Sequence, residues 1–171
     1  EGLDKLQRQY AQQKDYDRAI RTFNVLASLN PNVDPTAVAY YEYLKRANAS
    51  DPDNPQQQLE LAQFAERNGM DEEALTKYRQ LVRNEATREA ALQGLDRYAR
   101  RDLSMAQAHF NSGNYSLAQT LADRVRQEFP ECEEVVEQAA ELIGHATTRA
   151  YNQQQAQVAN AQSLIDAGDE F

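Results

Sequence analysis

GNYSLAQTLADRVRQEFP, residues 113–130, begins with a glycine, ends with a proline and has apolar residues at helical spacing between them. The apolar positions are Ala118, Leu121, Ala122, Val125 and Phe129. Their separations of three, one, three and four residues place these side chains on one face of an α-helix. Glycine readily takes the left-handed conformation that ends a preceding helix, and the residue before a proline resists helical geometry. The stretch therefore predicts a turn, an amphipathic helix and a stop.

The same frame occurs twice more, upstream of this stretch. KDYDRAIRTFNVLASLNP spans residues 14–31, and GMDEEALTKYRQLVRNEA spans residues 69–86. Aligned without gaps, the three segments share an alanine at the sixth place, namely Ala19, Ala74 and Ala118. The residues before each frame are also amphipathic, so each frame is predicted to form the second helix of an antiparallel pair. A pair this short cannot bury its apolar faces alone and has to stack on its neighbours.

The composition favours helix along the whole chain. Of the 171 residues, 41% are hydrophobic and 26% are charged, and the chain has only six glycines and five prolines. Alanine, glutamine, leucine, glutamate and arginine are abundant, and all of them form helices readily. No run of about 18 apolar residues occurs, so no membrane insertion of this chain is predicted. We expect an all-α protein of seven to nine helices.

The first helix pair resembles a tetratricopeptide repeat (TPR), whose pattern is W-x2-L-G-x2-Y, then A-x3-F, then P. The matching positions are Leu3, Leu6, Gln7, Tyr10, Ala19, Phe23 and Pro31. Leu3 stands in the place of the tryptophan and Gln7 in that of the glycine. The two later pairs match at fewer positions, which are Leu61, Ala62, Ala74, Tyr78, Ala106, Ala118 and Pro130.

This resemblance implies an α-solenoid of antiparallel helix pairs that forms a single domain over residues 1–171. We expect a repeat at about 2–31, an extra unpaired helix at about 35–50, repeats at about 56–86 and 100–130, and a long helical part at 131–171. Asp34 and Pro35 predict the start of the extra helix. Because the chain starts at Glu1 without methionine, we expect it to be an excised piece of a longer protein.

Two segments of the C-terminal half leave alternatives open. Residues 87–113 predict a long helix that is either interrupted or bent near Gly94. The glutamine-rich residues 152–162 suit either a helix, because alanine and valine are interspersed, or a low-complexity linker. The fold prediction therefore includes extended helices in this half of the chain.

The charges argue against a nucleic acid partner, because a net charge of -9 is repelled by phosphate backbones. Residues 77–101 nevertheless form an arginine-rich belt, which is either a site for an acidic partner or a solvated face with many ion pairs. His109 and His145 have no potential zinc ligands at suitable spacing. Cys132, the only cysteine, is interpreted as structural. The sequence thus predicts no catalytic residues, no cofactor and no metal site, and no enzymatic activity.

What the TPR resemblance implies is a scaffold that binds a peptide or helix of a partner protein through a concave face made by the first helices. Carried over by position, the partner-binding candidates are Arg8, Gln12, Gln63, Arg67, Gln107 and Asn111. The lysine and asparagine clamp of chaperone-binding members is absent at the matching positions, so that partner is not predicted. Three alternatives stay open: structural self-assembly, docking within a longer chain, and a recruiting or regulatory domain of a larger enzyme.

The location of the protein is also open at this level. The frame of residues 113–130 is similar to repeats in bacterial envelope-assembly lipoproteins, which implies the periplasm or the envelope. One cysteine and no exported leader leave the cytoplasm as the alternative.

Overall fold

A computed structural model describes residues 2–30 and 36–168, and these contain eight α-helices and no strand. The model is 84% helical, which confirms the all-α, TPR-like helical-repeat prediction. The helices are α1 (Gly2–Gln12), α2 (Tyr16–Leu29), α3 (Thr36–Ala49), α4 (Pro55–Arg67), α5 (Asp71–Leu81), α6 (Arg88–Asn111), α7 (Tyr115–Glu128) and α8 (Glu133–Gly168). The predicted stop at Pro31 and the predicted helix start at Asp34 and Pro35 lie outside the described residues.

The chain forms two compact units, Glu1–Gly94 and Leu95–Phe171, and the boundary falls within α6. In the first unit each helix from α1 to α5 packs on the next one along the chain. Its buried apolar side chains are Ala19, Phe23, Tyr43, Leu59, Leu61, Ala62, Ala65, Ala74, Tyr78, Leu81 and Ala91. This serial packing is how short helices cover their apolar faces in a repeat protein.

The extra helix α3 also contacts α1. The amide of the buried Gln7 donates a hydrogen bond to the hydroxyl of Tyr41, which lies 34 residues further along the chain. Thirty-four residues is the spacing between equivalent positions of successive tetratricopeptide repeats. The two contacting residues are therefore separated by the same interval as equivalent positions on the first helices of two successive repeats. By this spacing, α3 corresponds to a first helix.

Three turns of the same geometry join α1 to α2, α4 to α5, and α6 to α7. In each turn one residue has a positive φ, which is 59° at Lys14, 71° at Gly69 and 78° at Gly113. The next amide in each turn donates to the carbonyl five residues earlier, at 2.9 Å. This six-to-one hydrogen bond defines the Schellman motif, which satisfies carbonyls at the end of the first helix. The turn predicted at Gly113 is confirmed, and it has the same form at all three hairpins.

Lys14 is the one non-glycine residue with a positive φ in the described part of the chain, so glycine in its place should relieve backbone strain. A left-handed conformation costs an L-residue roughly 1–2 kcal/mol, and part of this is offset by the greater freedom of glycine in the unfolded chain. We expect Lys14→Gly to raise the free energy of unfolding by about 0.5–1 kcal/mol. Urea denaturation monitored by circular dichroism measures the change.

Gly69→Ala is the matched control for this prediction, because it places a Cβ on the equivalent left-handed residue with no atom within 4 Å. It should destabilise the protein by about 1 kcal/mol through backbone strain alone. If both variants lower the free energy of unfolding, Lys14 is not strained in this turn.

The second unit consists of the rest of α6 with α7 and α8, and α7 packs on α8. Its buried apolar side chains are Leu95, Tyr98, Ala99, Ala106, Ala118, Ala122, Val125, Phe129, Cys132, Val135, Ala139, Leu142 and Ala146. Ala118 is completely buried, as are Ala19 and Ala74 in the first unit. The shared alanines of the sequence frame thus all lie at fully buried positions, in interiors that are normally closely packed.

The long helix α6 passes through Gly94 without a break. A Cβ built on Gly94 would lie 2.6 Å from two ring atoms of Tyr78 and 2.7 Å from a third. Tyr78 is fully buried, and its hydroxyl donates to a carboxylate oxygen of Glu66. A glycine at position 94 is therefore required for the Tyr78 ring to approach α6 closely. This contact explains the glycine without the predicted interruption or bend of the helix.

The glutamine-rich residues 152–162 are helical and belong to α8, so the linker alternative is wrong. None of the helices in the described ranges is both long enough and apolar enough to cross a membrane.

Candidate partner-binding surface

The six candidate residues occur as three pairs at equivalent places in the three hairpins. Gln12, Arg67 and Asn111 are the last residues of α1, α4 and α6. Each is followed by one of the three Schellman turns, with the left-handed residue two positions later. The other members, Arg8, Gln63 and Gln107, lie four residues earlier on the same helices. Residues four apart share a helix face, so each pair is a two-residue polar patch at the end of a first helix.

The candidate side chains are accessible to a ligand. Gln63 is half-buried and the other five are exposed. The guanidinium of Arg8 lies 3.1 Å from the carboxylate of Asp4 in an i,i+4 ion pair. The amide of Gln107 donates to the side-chain oxygen of Asn111 at 3.1 Å. Both contacts are on the surface, where such interactions are weak and can be exchanged for contacts with a partner.

The structure brings the two members of each pair together on one helix. Arg8, Gln12, Gln63 and Arg67 belong to the first unit, whereas Gln107 and Asn111 belong to the second. The alignment of all three pairs along a single concave face remains a prediction from the TPR resemblance.

The first unit also contains a groove that the sequence does not predict. It has a volume of about 550 Å³ and lies between α3 and the turn from α4 to α5. Its lining residues are Ala37, Tyr40, Asn68, Gly69, Met70, Asp71, Glu72 and Glu73. Asp71, Glu72 and Glu73 form the first turn of α5, where carboxylates interact favourably with the helix dipole. Because α3 lies opposite, the same carboxylates also make one wall of the groove.

The tyrosines of α3 are not equivalent in their environments. Tyr43 is buried, and this burial, together with the negative charge of Glu73, raises the pKa of its hydroxyl. Tyr40 is 42% exposed at the groove, and its ring stacks on that of Tyr43 with centroids 6.5 Å apart. Tyr43 therefore contributes to packing of the core, whereas Tyr40 does so only partly. Nearby carboxylates and an exposed aromatic ring attract cations, so the groove would repel an acidic ligand.

The arginine-rich belt contains ion pairs in the second unit. Arg100 contacts Asp96 at 2.7 Å and Glu134 of α8 at 3.0 Å, and these two hydrogen-bonded carboxylates raise the pKa of its guanidinium. Arg101 lies 3.4 Å from Asp102 and also covers the ring of Tyr98 at 4.8 Å. At these two residues the interpretation as a face with many ion pairs is supported, because their charges already have partners.

Cys132 lies in the short connection between α7 and α8 and is buried. Burial, with smaller contributions from the charges of Asp96 and Glu131, raises the pKa of its thiol to about 11. Since the thiolate is the reactive form, this environment suppresses nucleophilic chemistry. The structural interpretation of this cysteine is consistent with its surroundings.

The raised pKa predicts slow alkylation of Cys132 in the folded protein. At pH 8, iodoacetamide should react about 100-fold more slowly with the native chain than with the chain in urea, whose thiol has a pKa of about 8.5. Folding favours the protonated thiol, so its contribution to stability is complete below about pH 8.5 and is lost as the pH rises toward about 11. Mass spectrometry of timed samples measures the two rates, and equal rates would contradict the assignment.

The part of the chain that the structure describes has the fold of a TPR-like helical-repeat protein. It contains eight helices, three equivalent hairpins and polar patches at the ends of the first helices. A family model described as tetratricopeptide repeat matches residues 8–32, which contain most of the first hairpin. No curated protein sequence matches the chain significantly. Tetratricopeptide repeats generally mediate protein–protein interactions and are typically non-enzymatic scaffolds.

Proposed function

We propose that the chain is a non-enzymatic scaffold that binds an extended peptide or a helix of a partner protein through its first helices. The observation that supports this most strongly is the equivalence of the three polar patches. Each consists of a residue at the helix end and another one turn earlier, followed by the same turn. A regular set of such groups on successive first helices suits recognition of a continuous chain.

The chemistry of the patches indicates the kind of peptide. Arg8 and Arg67 carry guanidinium groups that form strong, charge-assisted hydrogen bonds with carboxylates. The amides of Gln12, Gln63, Gln107 and Asn111 can both donate to and accept from a peptide backbone. We therefore propose a partner segment with Asp or Glu at one or two positions, recognised by these side chains. The acidic groove beside α3 disfavours a path for this segment between α3 and α5.

A peptide selection tests the proposal, with random sequences in place of the natural partner. The intact chain is used to select from a displayed library of random peptides, and the affinities of enriched sequences are measured by isothermal titration calorimetry. Enriched peptides should carry Asp or Glu at recurring positions. Arg8→Glu combined with Arg67→Glu should weaken their binding by about tenfold to 100-fold, because each arginine contributes one charge-assisted contact.

The control variant is Arg21→Glu. Arg21 is an exposed arginine on α2, a second helix, and its side chain donates to the carbonyl of Asp17 one turn earlier. This variant makes the same kind of substitution, with half the charge change of the double variant, and should leave binding within about twofold, because it lies outside the patches. Circular dichroism confirms that all variants keep their helicity. Equal weakening by both kinds of variant would mean that net charge, and not the patches, determines binding.

A further inference from the structure

The acidic groove beside α3 has apolar walls and a negative charge. Ala37, Tyr40 and Met70 supply apolar contacts, and the carboxylates of the first turn of α5 supply the charge. Its volume of about 550 Å³ lies within the range of roughly 300–1,000 Å³ that is usual for binding sites. Among the described residues that line it there is no lysine or arginine. The groove is therefore large enough for a ligand and attracts positive charge.

Two of these carboxylates have no cation as a partner. Within residues 2–30 and 36–168, Glu72 and Glu73 form no ion pair. Lys77 follows Glu73 by four residues, a spacing at which opposite charges on a helix commonly pair. Its ammonium instead donates a hydrogen bond of 2.5 Å to the side-chain oxygen of Gln58, which is buried. Both glutamates can therefore pair with a cation from another molecule.

The ring of Tyr40 gives the groove an aromatic surface. Tyr40 is 42% exposed, and its ring lies at 20° to that of the buried Tyr43. This stacking holds the Tyr40 ring in place before a ligand binds, so little conformational entropy is lost on binding. A cation placed over such a ring is attracted by its π-electrons. The groove thus offers two independent interactions with a cation, one from the ring and one from the carboxylates.

We propose that this groove binds an arginine side chain of a partner protein. A guanidinium group is planar, so it can stack on the ring of Tyr40 while its N–H groups donate to the carboxylates of Glu72 and Glu73. The ammonium of lysine is a compact and strongly hydrated charge, which suits this combination less well. The proposal goes beyond the three polar patches, because it involves other residues and a ligand of opposite charge.

A second groove contacts the same two glutamates and indicates where the cation binds. It has a volume of about 250 Å³ and is lined by Tyr43, Glu72, Glu73, Thr76 and Lys77. The positive charge of Lys77 disfavours a guanidinium in this smaller groove. The arginine is therefore expected on the side of the glutamates that faces Tyr40.

Nuclear magnetic resonance tests the proposal with the peptide acetyl-Gly-Arg-Gly-amide as the probe. Titration of the isotopically labelled chain of 171 residues should shift the amide signals of Gly69, Met70 and Glu72. The dissociation constant should be about 1–10 mM, because one side chain makes few contacts. The same peptide with citrulline, which has the shape of arginine but no charge, should bind about tenfold more weakly or not at all. The probe has no acidic residue, so its failure to bind would leave the peptide-binding proposal unaffected.

Substitutions in the groove test the two interactions separately. Glu72→Gln combined with Glu73→Gln should raise the dissociation constant about tenfold, because charge-assisted hydrogen bonds are lost. Tyr40→Leu should raise it about three- to fivefold, through loss of the cation–π contact.

The matched control removes the same charge from another helix start. Glu133 and Glu137 are exposed in the first two turns of α8, in the second unit. Glu133→Gln combined with Glu137→Gln should leave the dissociation constant within about twofold. Circular dichroism checks that all variants retain their helicity. The proposal is overturned if the arginine peptide causes no saturable shifts at the groove, if the citrulline peptide binds equally well, or if the control variant weakens binding as much as the groove variant.

Discussion

Gly94→Ala should destabilise the protein by about 2 kcal/mol, although alanine normally stabilises a helix relative to glycine by about 1 kcal/mol. The added Cβ would lie 2.6 Å from ring atoms of Tyr78. This ring cannot easily move away, because it is completely buried and its hydroxyl is bonded to Glu66. Steric overlap in a closely packed interior therefore outweighs the gain in helix propensity.

Gly144→Ala is the matched control, because Gly144 also lies within a long helix but a Cβ there meets no atom within 4 Å. This variant should raise the free energy of unfolding by about 0.5–1 kcal/mol. Urea denaturation of both variants measures the two changes in the free energy of unfolding, which should have opposite signs. The double variant Tyr78→Leu with Gly94→Ala adds a second criterion: with the ring removed, the alanine should no longer destabilise relative to Tyr78→Leu alone. A persistent loss would place the cause outside the ring contact.

Phe129→Ala should have a still larger effect on stability, a loss of about 3–5 kcal/mol. Phe129 is only 1% exposed, and its amide caps the end of α7 by donating to the carbonyl of Val125 at 3.0 Å. Alanine keeps this backbone bond but leaves a cavity in the core of the second unit. Thermal and urea denaturation should both show the loss, as an earlier transition of the α7 and α8 helices.

Leu117→Ala, on the helix that Phe129 caps, serves as the comparison for Phe129→Ala. Leu117 is 45% exposed, so its truncation removes little buried surface and should cost less than about 1 kcal/mol. If the two variants lose similar stability, the second unit does not depend on the core that Phe129 occupies.

The fold can be predicted to a large extent from local signals in the sequence. The shared alanines Ala19, Ala74 and Ala118 indicate positions where helices pack closely, and all three are fully buried. Glycine at 69 and 113 indicates turns, and both residues have positive φ. These features can be recognised because each depends on residues within a single hairpin.

Features that depend on contacts between distant residues cannot be predicted in the same way. In the sequence, Gly94 predicts an interruption or a bend of the helix. In the structure it lies against Tyr78, which is 16 positions earlier in the chain, and no periodicity of the sequence indicates this contact. The left-handed conformation of Lys14 is difficult to predict from the sequence, because lysine rarely adopts it. The alignment of Lys14 with Gly69 and Gly113 nevertheless indicates this conformation. The groove beside Tyr40 requires α3 and α5 to be neighbours, a contact between separate helices that the sequence pattern does not indicate.

The candidate residues follow from alignment to a family pattern. The structure places them at equivalent helix ends, which local spacing is sufficient to predict. The identity of the proposed peptide partner depends on how side chains from several helices combine, and the sequence pattern contains no information on that combination.

The protected thiol of Cys132 has a practical consequence for biophysical measurements. At neutral pH, dyes or spin labels with maleimide groups should attach to cysteines introduced on the surface and spare the native one, so the native residue need not be replaced. Pairs of labels at positions 12 and 111 would then report the distance between the ends of two first helices in an otherwise native background. Because Cys132 is buried, spectroscopic distance measurements between labels on introduced cysteines should not require its replacement.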